Sequence, residues 1–151
     1  MEIINIKETT YKEIAEINKK VPEFGPYEQT YFEQRCKGKD PLLILAYVNK
    51  EAAGYVLGYN KYNDGSYYCW MAGVIPEQRK KGVLRKLMQY LETWAKKRAY
   101  SKIRIKTRNS RREMLSYLVK ENFLFLEVVQ FPKSIENRIL LEKNIQEKEE
   151  K

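Results

Sequence analysis

The spacing of apolar residues changes several times along the chain, and each change predicts a new element of secondary structure. Alternation of apolar and polar residues is typical of strands, whereas apolar residues three or four positions apart are typical of amphipathic helices. On this basis strands are predicted over 2–8, 42–48, 53–60, 67–75, 102–107, 123–131 and 137–145. Helices are predicted over 9–20, 27–37, 81–98 and 110–121.

The order of these elements indicates the fold class. Three consecutive strands, 42–48, 53–60 and 67–75, predict an antiparallel meander, and a β-α-β unit follows them. We therefore predict an α/β (α+β) fold of three layers, with about four helices on the two faces of a mixed, mostly antiparallel sheet of about seven strands. A single domain over 1–145 holds these elements, and the charged tail 146–151 is predicted to be disordered.

Composition limits the chemistry that is open to this chain. Its 151 residues are enough for one domain with an ordinary buried core. The sequence contains no histidine, which excludes Ser-His and Cys-His catalysis and nearly every zinc site, so we predict no metal. Any reaction must therefore use carboxylates, tyrosines, cysteines, lysines or backbone groups.

The sequence also bears on the compartment. No apolar run approaches the roughly 18 residues of a membrane span, and the first residues lack the pattern of a signal peptide. Cys36 and Cys69 lie far apart with no C-x-x-C motif, which favours reduced thiols, with a single long-range bridge as the alternative. We predict a cytoplasmic protein that contacts no membrane.

Positive charge is concentrated in one region. The net charge is +9, but residues 79–112 hold fourteen Lys and Arg and a single acid, Glu92. Such a local excess predicts a multiply charged anion as partner, either a phosphorylated small molecule or a nucleic acid. The alternative is a basic helix face that only contacts solvent.

A short stretch within this region, GVIPEQRKKGVLRKLM at 73–88, connects a predicted strand to a predicted helix. Pro76 ends the strand, and Gly82 comes directly before the apolar pattern of the helix. Backbone N–H groups at a helix N-terminus have no intrahelical acceptor, and they attract phosphate. Because glycine has no Cβ, Gly82 lets the backbone approach a phosphate oxygen closely. The stretch is therefore predicted to bind a pyrophosphate.

The same stretch resembles the signature V-x-P-x-x-[RQ]-x-x-G-x-[GA] of the GNAT acetyltransferases. The matching residues are Val74, Pro76, Arg79 and Gly82. The order of elements, and KENF at 120–123 where the family often has K-x-G-F, extend the resemblance over about 2–145. The resemblance implies a GNAT-like fold and acetyl-CoA as co-substrate, with its pyrophosphate at this stretch.

The resemblance further implies which residues contact acetyl-CoA. The backbone of Ala72 would polarise the thioester carbonyl, and the pantetheine arm would lie along Ala72 and Val74. The residues predicted to bind acetyl-CoA are Ala72, Val74, Arg79, Lys80, Lys81, Gly82, Val83, Leu84, Arg85 and Asn109. Asn109 either reaches the pantetheine or caps the next helix. Gly73 indicates either a bulge that opens a cleft or tight packing.

Two positions depart from the family pattern. Leu84 stands where the family has Gly or Ala, and Leu118 stands where many members have a tyrosine that protonates the departing thiolate. Tyr117 is adjacent, but one residue along a helix turns a side chain by about 100°, so it is expected to point elsewhere. The sequence therefore predicts no general acid.

The general base has three candidates. If strict alternation holds, Tyr68 shares a strand face with Ala72 and lies four residues from the thioester, so it is the predicted base. Glu28 and Glu33 on the second helix are the alternatives, because that helix often borders the acceptor cleft in this family. A buried tyrosine of the core and solvated helical glutamates are the non-catalytic interpretations.

The functional hypothesis is an N-acetyltransferase. It would move acetyl from acetyl-CoA to a primary amine, on a small molecule or a peptide, by direct attack in a ternary complex. A catalytically inactive CoA-binding protein and a nucleic-acid-binding module that uses residues 79–112 are the alternatives. Residues 1–70 are near neutral in charge, so the acceptor is not identified, and the resemblance allows a homodimer without requiring one.

Overall fold

A computed structural model describes residues 2–146, and its elements follow the predicted order. The strands are β1 Ile4–Glu8, β2 Leu42–Val48, β3 Glu51–Tyr59, β4 Ser66–Val74, β5 Lys102–Arg108, β6 Leu124–Val129 and β7 Arg138–Asn144. The helices are α1 Tyr11–Asn18, α2 Gln29–Cys36, α3 Val83–Lys97 and α4 Arg112–Lys120. Short 3-10 turns at Pro76–Gln78 and Ser134–Glu136 complete the order. Of the predicted tail 146–151, all but Gln146 lies outside the described residues.

The seven strands form one sheet in the order β1-β2-β3-β4-β5-β7-β6. Only β4 and β5 pair in parallel, and every other neighbouring pair is antiparallel. The parallel pair flanks α3, because a chain that leaves one strand and returns beside it in the same direction needs a crossover connection. The mixed, mostly antiparallel sheet is thus confirmed.

Helices cover the sheet on both faces. On one face α1 and α2 bury Ile14 and Phe32 completely against the sheet. On the other face α3 and α4 bury Leu87 and Leu118 completely. These two apolar layers confirm the predicted three-layer architecture. Within residues 2–146, no helix is both long enough and apolar enough to cross a bilayer.

Strands β4 and β5 separate part-way along their length. Their parallel pairing runs from Ser66 opposite Lys102 to Cys69 opposite Ile105 and then ends. The remaining residues of β4 pair only with β3, and those of β5 pair only with β7. A gap therefore opens in the middle of the sheet beyond Cys69.

A β-bulge in β4 changes which side chains share a face. Met71 lies opposite Leu57 and Cys69 opposite Gly58, so Trp70 is an extra residue with no partner in β3. Because of it, Tyr68 packs with the α1 and α2 layer, whereas Ala72 packs with the α3 and α4 layer. The prediction that Tyr68 shares a face with Ala72 is therefore wrong.

Gly73 is not the bulge residue, since it pairs regularly with Tyr55. A Cβ at Gly73 would lie 2.9 Å from Cε2 of Phe24 and 3.2 Å from Cγ2 of Val21. The glycine is explained by this close approach of the loop after α1. Of the two interpretations of Gly73, tight packing is confirmed.

Candidate active site

A cleft of about 740 Å³ lies where β4 and β5 separate. Its walls come from the loop after α1, the end of β4, the segment that leads into α3, and α4 with the residues before it. Of the residues predicted to bind acetyl-CoA, the walls include Ala72, Val74, Arg79, Lys80, Gly82, Val83, Leu84 and Arg85. Most of the predicted binding residues therefore border one cavity.

The N-terminus of α3 presents a row of free backbone donors to this cleft. The amides of residues 80–85 donate to no acceptor within residues 2–146, and the first helical bond runs from the Lys86 amide to the Gly82 carbonyl. Lys80 has φ 65° and Gly82 has φ 87°, so the chain turns sharply just before the helix. No side chain caps the helix. Successive free amides in such a turn form a concave site for an anion.

The end of β4 directs further backbone groups into the gap. The Ile75 amide donates to the Ala53 carbonyl at 2.9 Å, which sets the phase of the antiparallel ladder. Since hydrogen-bonded and non-hydrogen-bonded pairs alternate, the peptide groups of Ala72 and Val74 point away from β3. They face the gap, where β5 no longer pairs with β4.

Arg79 connects this end of β4 to the loop after α1. Its Nε donates to the Val74 carbonyl at 2.9 Å, and its second terminal nitrogen lies 2.8 Å from Oε1 of Glu23. The hydrogen bond from Arg79 holds the pKa of the Glu23 carboxyl below its usual range, although partial burial opposes this. Glu23 is therefore ionised at neutral pH and lies on the wall of the cleft.

Sequence comparison decides the family. The profile of the Acetyltransferase (GNAT) family matches residues 7–122, which is most of the chain. The chain belongs to the GNAT family. No curated protein matches it significantly in sequence.

Known GNAT structures share the fold at low sequence identity. The ribosomal-protein-S18-alanine N-acetyltransferase of Escherichia coli superposes with a TM-score of 0.80 at 19% identity, covering 99% of this chain and 97% of its own. Ard1 of Thermoplasma volcanium has a TM-score of 0.78 at 16% identity, with coverages of 95% and 99%. The yncA protein of Salmonella typhimurium, solved with its cofactor acetyl-CoA, has a TM-score of 0.75 at 14% identity, with coverages of 96% and 95%. These likenesses establish the fold alone.

Two residues predicted to bind acetyl-CoA lie outside the GNAT cleft. Lys81 turns away, with its Nζ 2.9 Å from Glu2 and 3.0 Å from Oε1 of Gln78. Asn109 donates from its side chain to the Ser134 carbonyl at 3.1 Å and does not line the cleft. Asn109 is not a helix cap either, since the N-cap of α4 is Arg111. Neither side chain points into the cleft, because local spacing does not determine side-chain directions, whereas the backbone amide of Lys81 belongs to the free row at 80–85. The contact of these two residues with acetyl-CoA stays a prediction.

The prediction for Tyr117 is also corrected. Leu118 is completely buried in the α3 and α4 layer, whereas Tyr117 lines the cleft. The predicted rotation between neighbouring helical residues is real, but α4 turns Tyr117 and not Leu118 toward the gap. Burial raises the pKa of the Tyr117 hydroxyl, so it carries its proton at neutral pH.

A smaller cavity of about 220 Å³ adjoins the cleft and borders the α1 and α2 face of the sheet. The two cavities share Glu23, Phe24 and Arg111. Tyr68 lines the smaller one, and burial raises the pKa of its hydroxyl. Glu28 and Glu33, the other candidate bases, line neither cavity.

The thiols supply no nucleophile. Cys36 and Cys69 are both free and buried, as predicted for reduced cysteines. Burial raises the pKa of each thiol to about 12, so neither forms a thiolate at neutral pH.

Sequence reasoning did not identify Glu23, Phe24, Arg111 or Tyr117 as residues of the cleft. The basic run 79–112 contained Arg111, but charge alone does not say which of its members meet in one cavity. No motif marks Glu23 or Phe24, because the loop after α1 reaches the cleft only through tertiary packing.

Proposed function

We propose that this GNAT protein transfers an acetyl group from acetyl-CoA to a primary amine by direct attack in a ternary complex. One observation carries the proposal: the six amides of residues 80–85 donate to no acceptor within residues 2–146, and five of these residues, all but Lys81, line the same cleft as the free edge of β4. The first feature fits a pyrophosphate and the second fits an extended arm with a reactive carbonyl.

The residues present fit acetyl-CoA. The amides of 80–85 would hold the pyrophosphate, and the side chains of Lys80 and Arg85 on the cleft wall add positive charge. The peptide groups of Ala72 and Val74 would bind the pantetheine, with Ala72 next to the thioester carbonyl. When bound, acetyl-CoA supplies an activated acetyl thioester.

Three side chains have proposed roles in proton transfer and amine binding. Tyr117, protonated and on the cleft wall, donates its proton to the thiol sulfur as that sulfur leaves. Glu23, ionised between the two cavities, attracts the ammonium form of the acceptor, which gives up a proton to solvent water before the neutral amine attacks the thioester. Tyr68 borders the smaller cavity and offers its hydroxyl to the amine.

A turnover assay tests the proposal. Calorimetry at moderate salt is expected to give saturable acetyl-CoA binding, and a thiol-release assay with a panel of amines is expected to give turnover. Binding without thiol release from any amine would identify an inactive CoA-binding protein. Absence of acetyl-CoA binding at millimolar concentration would overturn the proposal.

The Tyr117→Phe variant tests the proton donor. We expect kcat to fall on the order of 100-fold, with the dissociation constant of acetyl-CoA unchanged, because only proton transfer is lost. Tyr90→Phe is the matched control, since Tyr90 lies on α3, outside both cavities, with its hydroxyl 3.3 Å from Glu8. Equal kcat values in the two variants would exclude this role for Tyr117.

The nucleic-acid alternative receives no support from the arrangement of the basic residues. Several members of the 79–112 region already pair with acids: Lys81 with Glu2, Arg85 with Glu121, Arg98 with Asp40, and Arg104 with Asp64 and Glu142. The cations that border the cleft line a concave cavity and not an extended surface that could follow a phosphate backbone.

A further inference from the structure

We propose that the acceptor is a zwitterion, a primary amine that also carries an oxyanion, and that the smaller cavity binds this oxyanion. The inference rests on the proposed acetyl transfer and specifies its second substrate. Four cations, Lys106, Arg108, Arg111 and Arg138, line this cavity, whereas its single carboxylate is that of Glu23.

The positive charge of this cavity is not neutralised by its neighbours. Glu23 already pairs with Arg79 at 2.8 Å. Lys106 contacts no carboxylate within the described part of the chain. Arg108 and Arg138 share one acid, Glu136, at 3.5 Å and 4.0 Å. The cavity therefore keeps an excess of positive charge that an anionic ligand would balance.

Arg111 is held in place by a carbonyl and a ring, and it forms no ion pair with an acid within residues 2–146. A terminal nitrogen donates to the Glu23 carbonyl at 2.8 Å, and the guanidinium lies 5.1 Å from the centre of the Phe24 ring. Burial first, and then the charges of Arg108 and Arg138 among others, lower the pKa of Arg111. A guanidinium fixed by a carbonyl and a ring is oriented before any ligand arrives, and its fork geometry suits carboxylate or phosphate.

Part of the lining of the smaller cavity is aromatic. Tyr27, Tyr31, Tyr68 and Trp70 border the cavity. Tyr27 and Tyr31 stack at 4.4 Å between ring centres, and Tyr31 lies 5.6 Å from Trp70. This surface fits an apolar or aromatic body on the acceptor, because rings in contact with each other form a rigid apolar wall.

Glu23 gives the ligand a direction. Its carboxylate, which pairs with Arg79 and lies at the junction that Arg111 also lines, is the one acid that borders the smaller cavity, so an ammonium is more favourable there than among the other three cations. Three of the cations border only the smaller cavity and not the main cleft: Lys106, Arg108 and Arg138. An oxyanion is therefore favoured away from the junction. The single carboxylate at the junction and the excess of cations beyond it favour a zwitterion over a simple amine or a polyamine.

The test compares pairs of acceptors that share a primary amine and differ in whether they carry an oxyanion. L-Phenylalanine and L-phenylalaninol share an amine and a ring, but only the first carries a carboxylate. We expect kcat/KM for thiol release to be at least about tenfold higher with phenylalanine. O-Phosphoethanolamine against ethanolamine repeats the comparison for phosphate, so the two pairs show which oxyanion the cavity prefers.

Two lysine variants on the same face of β5 show whether the cavity causes the preference. Lys106→Gln is expected to raise the KM for phenylalanine about tenfold and to leave that for phenylalaninol unchanged. Lys102→Gln is the control, because Lys102 lines neither cavity and lies 3.4 Å from Glu142. A purely structural role for Lys106 would alter both KM values equally and would count against the inference.

A binding measurement separates this inference from the proposed function. With CoA present, calorimetry compares N-acetyl-L-phenylalanine with N-acetyl-L-phenylalaninol, and the same comparison is made for the acetylated phosphoethanolamine pair. Tighter binding of an anionic member supports the oxyanion site even if no amine is turned over. Turnover that prefers the neutral member of both pairs, or no tighter binding of either anionic product, overturns the inference and leaves acetyl transfer to be judged by its own assay.

Discussion

At the head of α3 the cleft presents backbone amides, whereas the smaller cavity presents charged and aromatic side chains. A backbone site depends on the path of the chain and tolerates many side-chain changes. A side-chain site can change its preference through one substitution. The acetyl-CoA end of the site, at the N-terminus of α3, is therefore expected to keep its binding after most substitutions, except those that change the turn before the helix. The acceptor end, the smaller cavity, is expected to determine which amine is used.

The largest expected effect comes from placing a charge in the backbone site. A Cβ at Gly82 would meet no heavy atom within 4 Å, and Asp and Asn both tolerate its φ of 87° better than other residues do. Gly82→Asp is expected to weaken acetyl-CoA binding by about 2 kcal/mol, roughly 30-fold, through repulsion of the pyrophosphate. The neutral Gly82→Asn should change affinity by about threefold at most. Equal losses in the two variants, measured by calorimetry, would contradict an anion site here.

A steric change at the junction of the two ends is expected to have the next largest effect. Gly73→Ala places a methyl group 2.9 Å from Phe24, so the loop after α1 must move. We expect the free energy of unfolding to fall by about 1–3 kcal/mol and the KM of the amine to rise more than that of acetyl-CoA. Gly38→Ala is the control. An added Cβ meets no atom within 4 Å there, although the φ of 76° itself disfavours alanine, so this variant loses some stability without a steric clash. Its kinetic constants should equal those of the natural chain.

Two neighbouring lysines test how much side-chain charge assists the backbone site. Lys80 lines the cleft, whereas Lys81 pairs with Glu2. Lys80→Gln should raise the dissociation constant of acetyl-CoA about threefold, since exposed charges contribute little, and Lys81→Gln should leave it unchanged. In 0.5 M salt the effect of Lys80→Gln should nearly disappear. If Lys81→Gln raised the dissociation constant more than Lys80→Gln, the Lys81 side chain and not that of Lys80 would face the cleft.

The smallest expected effect is a pH dependence at Glu23. Arg79 lowers the pKa of this carboxyl in the folded protein, so Glu23 adds stability above its unfolded pKa of about 4.5. That contribution is lost as the pH falls through the lower folded value. Urea unfolding should therefore show Glu23→Gln slightly less stable than the natural chain at pH 7, with a difference that shrinks as the pH falls below about 4.5 toward the lowered folded value. A difference that does not shrink on acidification would mean that charge is not its cause.

The backbone end of the site could be predicted from the sequence because its determinants are contiguous. Pro76 ends a strand, Gly82 precedes a helix, and free amides follow from helix geometry alone. The element order was predictable for a similar reason, since each period of apolar residues is a local property. Every predicted boundary lies within two residues of the observed one.

The acceptor end could not be predicted because packing between distant segments determines it. One extra residue, Trp70, moves Tyr68 to the face opposite Ala72, and nothing in the local sequence marks the insertion. Likewise, the orientation of α4 on the sheet determines that Tyr117 and not Leu118 lines the cleft. The cations of the smaller cavity come from β5, β7 and the start of α4, and only the fold brings them together.

The bulge at Trp70 also divides β4 into two parts that can vary independently. Up to Cys69 the strand is held by neighbours on both edges, and beyond it only β3 holds the strand. Substitutions before Cys69 would alter which amines are accepted, while the peptide groups of Ala72 and Val74 would still point into the gap. Deleting Trp70 would remove the bulge: Cys69 and Met71 already lie opposite the consecutive residues Gly58 and Leu57, so the two parts would join as one regular strand with every remaining residue on its present face.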